Sequence, residues 1–316
     1  MIHAHLPVRT QTGEGEGSSQ RGNNSHPKKH PYFSTILRLN HFVCLGAVGP
    51  DYPYLTELLS GFLKVHSWAD RMHYENTGEF VRYGIKNLLT LNGDAFDICL
   101  AWLCGFATHL VTDSVIHPVV QAIVGPYIFN ASEHRHCEMI QDSYIFHKVK
   151  GIELRYADYV RLFKMCSSPA DEDKINPHLN RLWTETLKAS HPAATEQFDK
   201  IDPDKWHENF LSRIDSAADP MPIFRHFGEE KRLVYKKTGD IDPEEQERFI
   251  NKVRLPGSKA GEFKKDVFDK AVATVIDTWG RLFIDVVNKD PDGVTAYIKN
   301  WNLDTGIDEE KAYFWT

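Results

Sequence analysis

The stretch from residue 94 to residue 142, DAFDICLAWLCGFATHLVTDSVIHPVVQAIVGPYIFNASEHRHCEMIQD, constrains this chain more than any other. It carries His109, Asp113 and His117 at steps of four, on an otherwise apolar segment. At about 100° per residue such steps drift only ~40° each, so the three side chains leave a helix from one stripe. Pro118, which has no N–H to donate, is expected to stop that helix. Residues 118 to 133, with Gly125, Pro126 and Asn130, read as a connection. A second helix then presents His134, Glu138 and Asp142 at the same spacing. The first triad lies among Leu103, Phe106, Ala107, Leu110 and Val111. An unpartnered carboxylate buried in such company costs on the order of several kcal/mol.

Taken singly, a histidine or an aspartate on a helix is a satisfied core group or part of a solvated face. Two triads in one short stretch shift the balance towards metal. Two helices can face each other across a bundle interior and hold ions between them. Imidazole nitrogen and carboxylate oxygen are the ligands that suit zinc in a site with an open position.

The fold class expected is all-α: a multi-helix bundle with the metal cluster between helices and an additional helical C-terminal part. Strand-like alternation is nearly absent, and there is no Walker loop, G-x-S-x-G or dinucleotide fingerprint. Residues 10 to 30 are polar and glycine-rich and read as a mobile loop, with His26 and His30 as surface residues. A helix beginning near Phe33 breaks at Gly46, Gly49 and Pro50, which puts Asp51 at a turn. Trp68, Asp70 and His73 share a short segment, where His73 is equally readable as a core-edge histidine bonding a carbonyl. Further helices are expected over Phe80–Leu91, within residues 151–200, and over Lys264–Asn288. The aromatic tail either docks back on the body, the commoner fate of such ends, or touches lipid head groups.

The 316 residues suffice for one large domain or two smaller ones. A net charge of −7 leaves no basic surplus for displacing counterions from nucleic acid, although bound zinc would reverse the sign locally. Five cysteines with no C-x-x-C pair argue against a disulfide framework and for a reducing compartment. Cys137, between His136 and Glu138, is either a thiolate ligand or, as the commoner case, a buried thiol. The apolar run Ile98–Ala107 is about half the ~20 residues of a membrane span, and the N-terminus lacks an apolar h-region. The expectation is a chain with no transmembrane segment, cytoplasmic as synthesised, with export by a signal-independent route left open.

The segments LGAVGPDYPYL (45–55), WADRMHY (68–74), GFATHLVTDSVIHPVV (105–120) and HRHCEMIQD (134–142) together resemble the bacterial zinc-dependent phospholipase C family, which is related to the zinc-dependent single-strand nucleases of fungi and plants. The resemblance covers the first half of the chain. It implies a catalytic core over 1–165, leaving 166–316 as a helical part packed on the core or serving as a lid or partner region. It implies one zinc held by Asp51, His73, His109 and Asp113, and a second held by His117, His134 and Glu138. A third, in the family, uses an N-terminal histidine and the chain's own amino terminus; His5 is the counterpart, with Asp113 bridging. Secreted members expose a new N-terminal tryptophan, whereas Met1 stands four residues before His5 here, so two zincs and three are both open. Asp142 and Trp68 match no ligand and are candidates for supporting the ligands from behind.

The activity implied is hydrolysis of a phosphodiester of phospholipase C type, in which a metal-activated water attacks the phosphorus of a phospholipid at a transient membrane-surface contact. Asp51 is the candidate general base or water-orienting group. A nuclease acting on single strands, stacking bases on Trp68, Tyr74, Trp102 or Tyr127, ranks below it on charge. A non-catalytic protein with structural metal is the third reading.

Overall fold

The computed structural model describes residues 30–54, 67–153, 157–216, 235–257 and 259–315. Its frame is a central helix surrounded by others, in the order α1 (Pro31–Arg38), α2 (Asn40–Ala47), a 3-10 turn (Gly49–Asp51), α3 (Trp68–Tyr74), α4 (Thr77–Leu88), α5 (Gly93–Val124) and α6 (Tyr127–Lys150). Beyond these come α7 (Ala157–Lys164), α8 (Pro177–Ser190), α9 (Pro203–Ser216), the single turn α10 (Pro243–Gln246) and α11 (Asp269–Asn288). Among the described residues the β structure is two small antiparallel ribbons, Ser167–Ser168 with Asp171–Ile175 and Val253–Arg254 with Ala260–Gly261, and isolated bridges from Ile307 to Asn302 and Tyr313 in the tail. The all-α expectation holds.

Helix α5 is apolar on every side and buried from Cys99 to Val120, as a helix covered all round should be. Helices α2, α4, α6, α8 and α11 all pack on it. It is long and apolar enough to cross a membrane, but most of its apolar window is covered by the protein itself. The approach of α2 to α5 is a backbone contact. A Cβ on Gly46 would run into the Trp102 carbonyl, and one on Gly105 into the Val43 carbonyl. Glycine at both crossing points lets the two backbones touch, which brings the C-terminal end of α2 against the middle of α5.

Pro118 does not stop α5, contrary to expectation, and the helix runs six residues further to Val124. Proline removes the bond to the Ser114 carbonyl, and the C-terminal tail covers the place where it is lost. Gly306, at φ +64°, lies so close that a Cβ would sit 2.8 Å from the Ser114 oxygen and 3.1 Å from the Pro118 ring. The Trp315 indole donates to the neighbouring Val115 carbonyl at 2.9 Å. Tertiary packing therefore keeps helical a segment that local chemistry would break. The expected long connection is also absent: only Gly125 and Pro126 separate α5 from α6, with Asn130 as a non-helical kink (φ −135°) in the first turn of α6.

Smaller differences have equally local causes. His30 is half-buried rather than fully solvated; it caps α1, its Nδ1 accepting from the Tyr32 N–H at 3.3 Å, and stacks on Phe283. The fourth helix starts at Thr77 and ends at Leu88, and the last begins regular α geometry at Asp269 after a π-helical turn, Phe263–Phe268. One apolar cluster runs from Ile36 to Leu303, so residues on both sides of position 165 share it. A second, built on Val115, Val119 and Val120 with Phe249, Phe263 and Phe268, packs at the C-terminal end of α5. His109, Asp113 and His117 lie along α5 where the two clusters meet.

Candidate metal centre

Two sets of side chains converge on α5. The first joins Asp51 from the 3-10 turn, His73 from α3 and His109 from α5. Helix α3 is set by a capping box, in which the Ser67 hydroxyl accepts from Asp70 N–H and the Asp70 carboxylate accepts from Ser67 N–H. That box fixes the helix start and so aims His73 inward. The His73 Nδ1 donates to the Ala69 carbonyl at 2.7 Å, and the His109 Nδ1 donates to the Ala47 carbonyl at 2.9 Å. A carbonyl can only accept, so each ring keeps a proton on Nδ1, and Nε2 is the nitrogen whose lone pair a metal would take once any proton there is displaced. The Ala47 carbonyl reaches His109 because Gly46 and Gly105 allow the helices to touch.

Those two lone pairs face each other, with Nε2 to Nε2 at 3.2 Å. Asp51 Oδ1 stands 3.3 Å from His73 Nε2, and Asp113 Oδ2 stands 3.2 Å from His109 Nε2. Ligands about 2.0 Å from a tetrahedral zinc are separated from one another by about 3.3 Å. A shared proton would satisfy one of these contacts, whereas a divalent cation satisfies all of them. The donor set therefore fits zinc.

The second set joins His117 from α5 with His134 and Glu138 from α6. Glu138 Oε1 lies 3.1 Å from His117 Nε2 and 3.2 Å from His134 Nε2. The two-residue link between α5 and α6 folds the helices directly against each other, so the i, i+4 pair on α6 meets the last histidine of the α5 stripe. Asp113 faces both sets: the oxygen near His109 is also 3.7 Å from His117 Nδ1.

Electrostatics keep the acids ionised. Burial pushes the Asp51 carboxyl up, but hydrogen bonding to His73 and the charges of His109 and His73 outweigh it and hold the group below the ordinary carboxylate range. Burial likewise raises Glu138, and His134 and His117 together bring it well below that range. Burial lowers His109, and Asp113 with Asp51 more than restores it, leaving the imidazole above its usual value. Each is the signature of opposite charge held at close range.

Other candidates fall elsewhere. Asp142 is in neither set; its Oδ2 accepts from the Tyr235 hydroxyl at 3.0 Å. Trp68 is buried at the start of α3 and donates its indole N–H to the Gln197 carbonyl at 3.2 Å. Cys137 is a buried free thiol with its pKa driven well up by burial, so the thiol reading of this residue stands. His5 lies outside the described residues, as do positions 10 to 29. One residue near the site had no sequence signal. Asp304, in the C-terminal tail, places Oδ1 3.5 Å from His117 Nδ1 and accepts from the Tyr74 hydroxyl at 3.0 Å. Neither helical spacing nor a motif links it to partners so distant along the chain.

No curated protein and no solved structure matches the chain. The sequence model of zinc dependent phospholipase C matches residues 24–193, a span that contains both sets of side chains. Because that match covers more than half of the 316 residues, the chain belongs to the zinc-dependent phospholipase C family.

Proposed function

We propose that the protein hydrolyses the phosphodiester bond of a phospholipid, with zinc held by Asp51, His73, His109 and Asp113 on one side and by His117, His134 and Glu138 on the other. The observation that carries this reading is the convergence of imidazole lone pairs and ionised carboxylates at ligand spacing, joined through one Asp113 oxygen. Zinc, when bound, supplies Lewis acidity to the phosphoryl oxygens and acidity to water. Asp51, ionised and partly open to solvent, takes the proton of the attacking water. The water oxygen bonds to phosphorus, the bond from phosphorus to the glycerol oxygen breaks, and the proton on Asp51 is available to that departing oxygen.

Two features favour lipid over nucleic acid. Ile128 and Phe129, each 81% exposed, adjoin Tyr127, whose ring packs 5.2 Å from that of His134. An uncharged apolar tip beside the site suits an acyl interface. In contrast, Trp68 and Trp102 are buried and offer no face to a base. The partial exposure of the Asp51 and Glu138 side chains also counts against closed, structural metal.

The deciding experiment runs zinc-loaded and chelated protein against phosphatidylcholine micelles and a single-stranded oligonucleotide in parallel. Zinc-dependent release of diacylglycerol, with the oligonucleotide intact, is expected. Cleavage of the oligonucleotide alone, or of neither substrate, would overturn the reading.

A further inference from the structure

The match to the family ends at residue 193, yet the tail near residue 304 touches the metal centre. We infer that Asp304 is a positioning residue for the second metal set, holding His117 from behind and adding a second carboxylate beside that set; this rests on the zinc reading above.

The first set has backbone partners for its histidines. His73 and His109 each give their Nδ1 proton to a carbonyl. His117 aims Nε2 at Glu138 and so turns Nδ1 the other way. Carboxylate oxygens stand there: Asp304 Oδ1 at 3.5 Å and Asp113 Oδ2 at 3.7 Å. Asp113 is already closer to His109, at 3.2 Å. Asp304 is therefore the nearer partner, and a carboxylate behind a metal-binding imidazole fixes both its tautomer and its direction.

Charge leads to the same residue. The first set has Asp51, with Asp113 3.2 Å from His109, while the second has Glu138, with Asp113 farther off at 3.7 Å from His117. Asp304 evens the two.

The tail is also built to stay there. The Leu303 N–H donates to the carbonyl of His73 at 2.9 Å, tying it to a ligand-bearing turn of the first set. Gln121 on α5 donates to the Asp304 carbonyl at 2.8 Å, and the Tyr74 hydroxyl holds the other carboxylate oxygen. Gly306 and Trp315 then cover the Pro118 discontinuity just beyond His117. A loosely draped tail would need none of these anchors.

The test is a chelator competition on the full-length protein loaded with Zn2+ alone, comparing wild type, Asp304→Asn and Tyr74→Phe, with melting temperatures of the zinc-free forms alongside. The expected result is that one class of zinc leaves Asp304→Asn about 10–100-fold more readily, the cost usual for losing such a partner. The other class is unchanged, the zinc-free melting temperature is close to wild type, and Tyr74→Phe shifts the same class by a smaller factor. Should Asp304→Asn not fold, Tyr74→Phe decides by the same readout. Release curves identical to wild type in the folding variants would overturn the role of Asp304 and leave the zinc reading intact. A wild-type protein that holds no zinc would overturn both.

Discussion

The two halves of the metal centre are organised differently. Around His73 and His109 the rings are oriented by main-chain carbonyls, Ala69 and Ala47, which have no freedom to turn away. Around His117 the orienting groups are side chains, Asp304 and Asp113, at longer range. A site whose ligands are aimed by backbone is as rigid as the helices that carry it. One aimed by carboxylates depends on the segments that deliver them, here including a tail more than 150 residues downstream of the second ligand helix. The comparison predicts that the first set keeps its metal more firmly, and that damage to each half arises from different parts of the chain.

The largest effect is expected where the halves meet. Asp113→Asn should lose zinc from both sets and reduce phospholipid hydrolysis by on the order of 100-fold or more, beyond what loss of a supporting partner costs. Metal analysis together with turnover measures this, and a variant with full zinc content would show that Asp113 joins nothing. Next comes the helix crossing. Gly105→Ala should separate α2 from α5, costing about 1–3 kcal/mol as overpacking and pulling the Ala47 carbonyl from His109. Denaturant unfolding would read the first effect and zinc release from the first set the second. If only the His117 set loosened, the distinction between the halves would be wrong.

Much of this is legible in the residues themselves. The steps of four on two helices identify His109, Asp113, His117, His134 and Glu138, because a helix converts spacing into direction. The break after Gly46 correctly leaves Asp51 on a turn. What stayed hidden is whatever depends on contacts between distant segments. Pro118 reads as a helix end, since the pattern cannot show Gly306 and Trp315 lying over it. The carbonyl locks of Ala47 and Ala69 carry no side-chain signal at all. Asp304 sits in an ordinary turn sequence, N-L-D-T-G, whose place beside His117 is decided by the packing of the tail.

A third kind of histidine extends the comparison. His207 is buried between the hydroxyls of Tyr52 and Ser167, at 3.3 and 2.9 Å. Burial alone lowers its pKa to about 4. The unfolded chain therefore binds a proton that the folded chain refuses between about pH 6.5 and pH 4. Stability from this group is whole above the unfolded value and falls as pH drops through that window, by about 3 kcal/mol in all. Urea unfolding of the zinc-free protein at several pH values, compared with His207→Gln, should show the variant lacking that part of the acid slope.

Smaller effects are expected at the periphery. Ile128→Ser with Phe129→Ser should weaken turnover on phosphatidylcholine vesicles by about tenfold, as for partial loss of two apolar insertions. Turnover of a short-chain monomeric substrate should be unchanged, and equal losses on both would mean that these side chains serve the fold. Least of all, Asp142→Asn should leave zinc content within about twofold of wild type, well short of the effect of losing a ligand's partner, since Asp142 Oδ2 accepts from the Tyr235 hydroxyl, outside both sets. Zinc loss comparable to that of Asp304→Asn would place Asp142 behind a ligand after all.

The central claim is that the lone pairs gathered on α5 surround divalent ions. Anomalous diffraction from zinc-soaked crystals, recorded on either side of the zinc absorption edge, tests it most directly. Peaks about 2 Å from Nε2 of His73 and His109, and again from Nε2 of His117 and His134, are the predicted result. Ordered histidines with no zinc signal between them would contradict it.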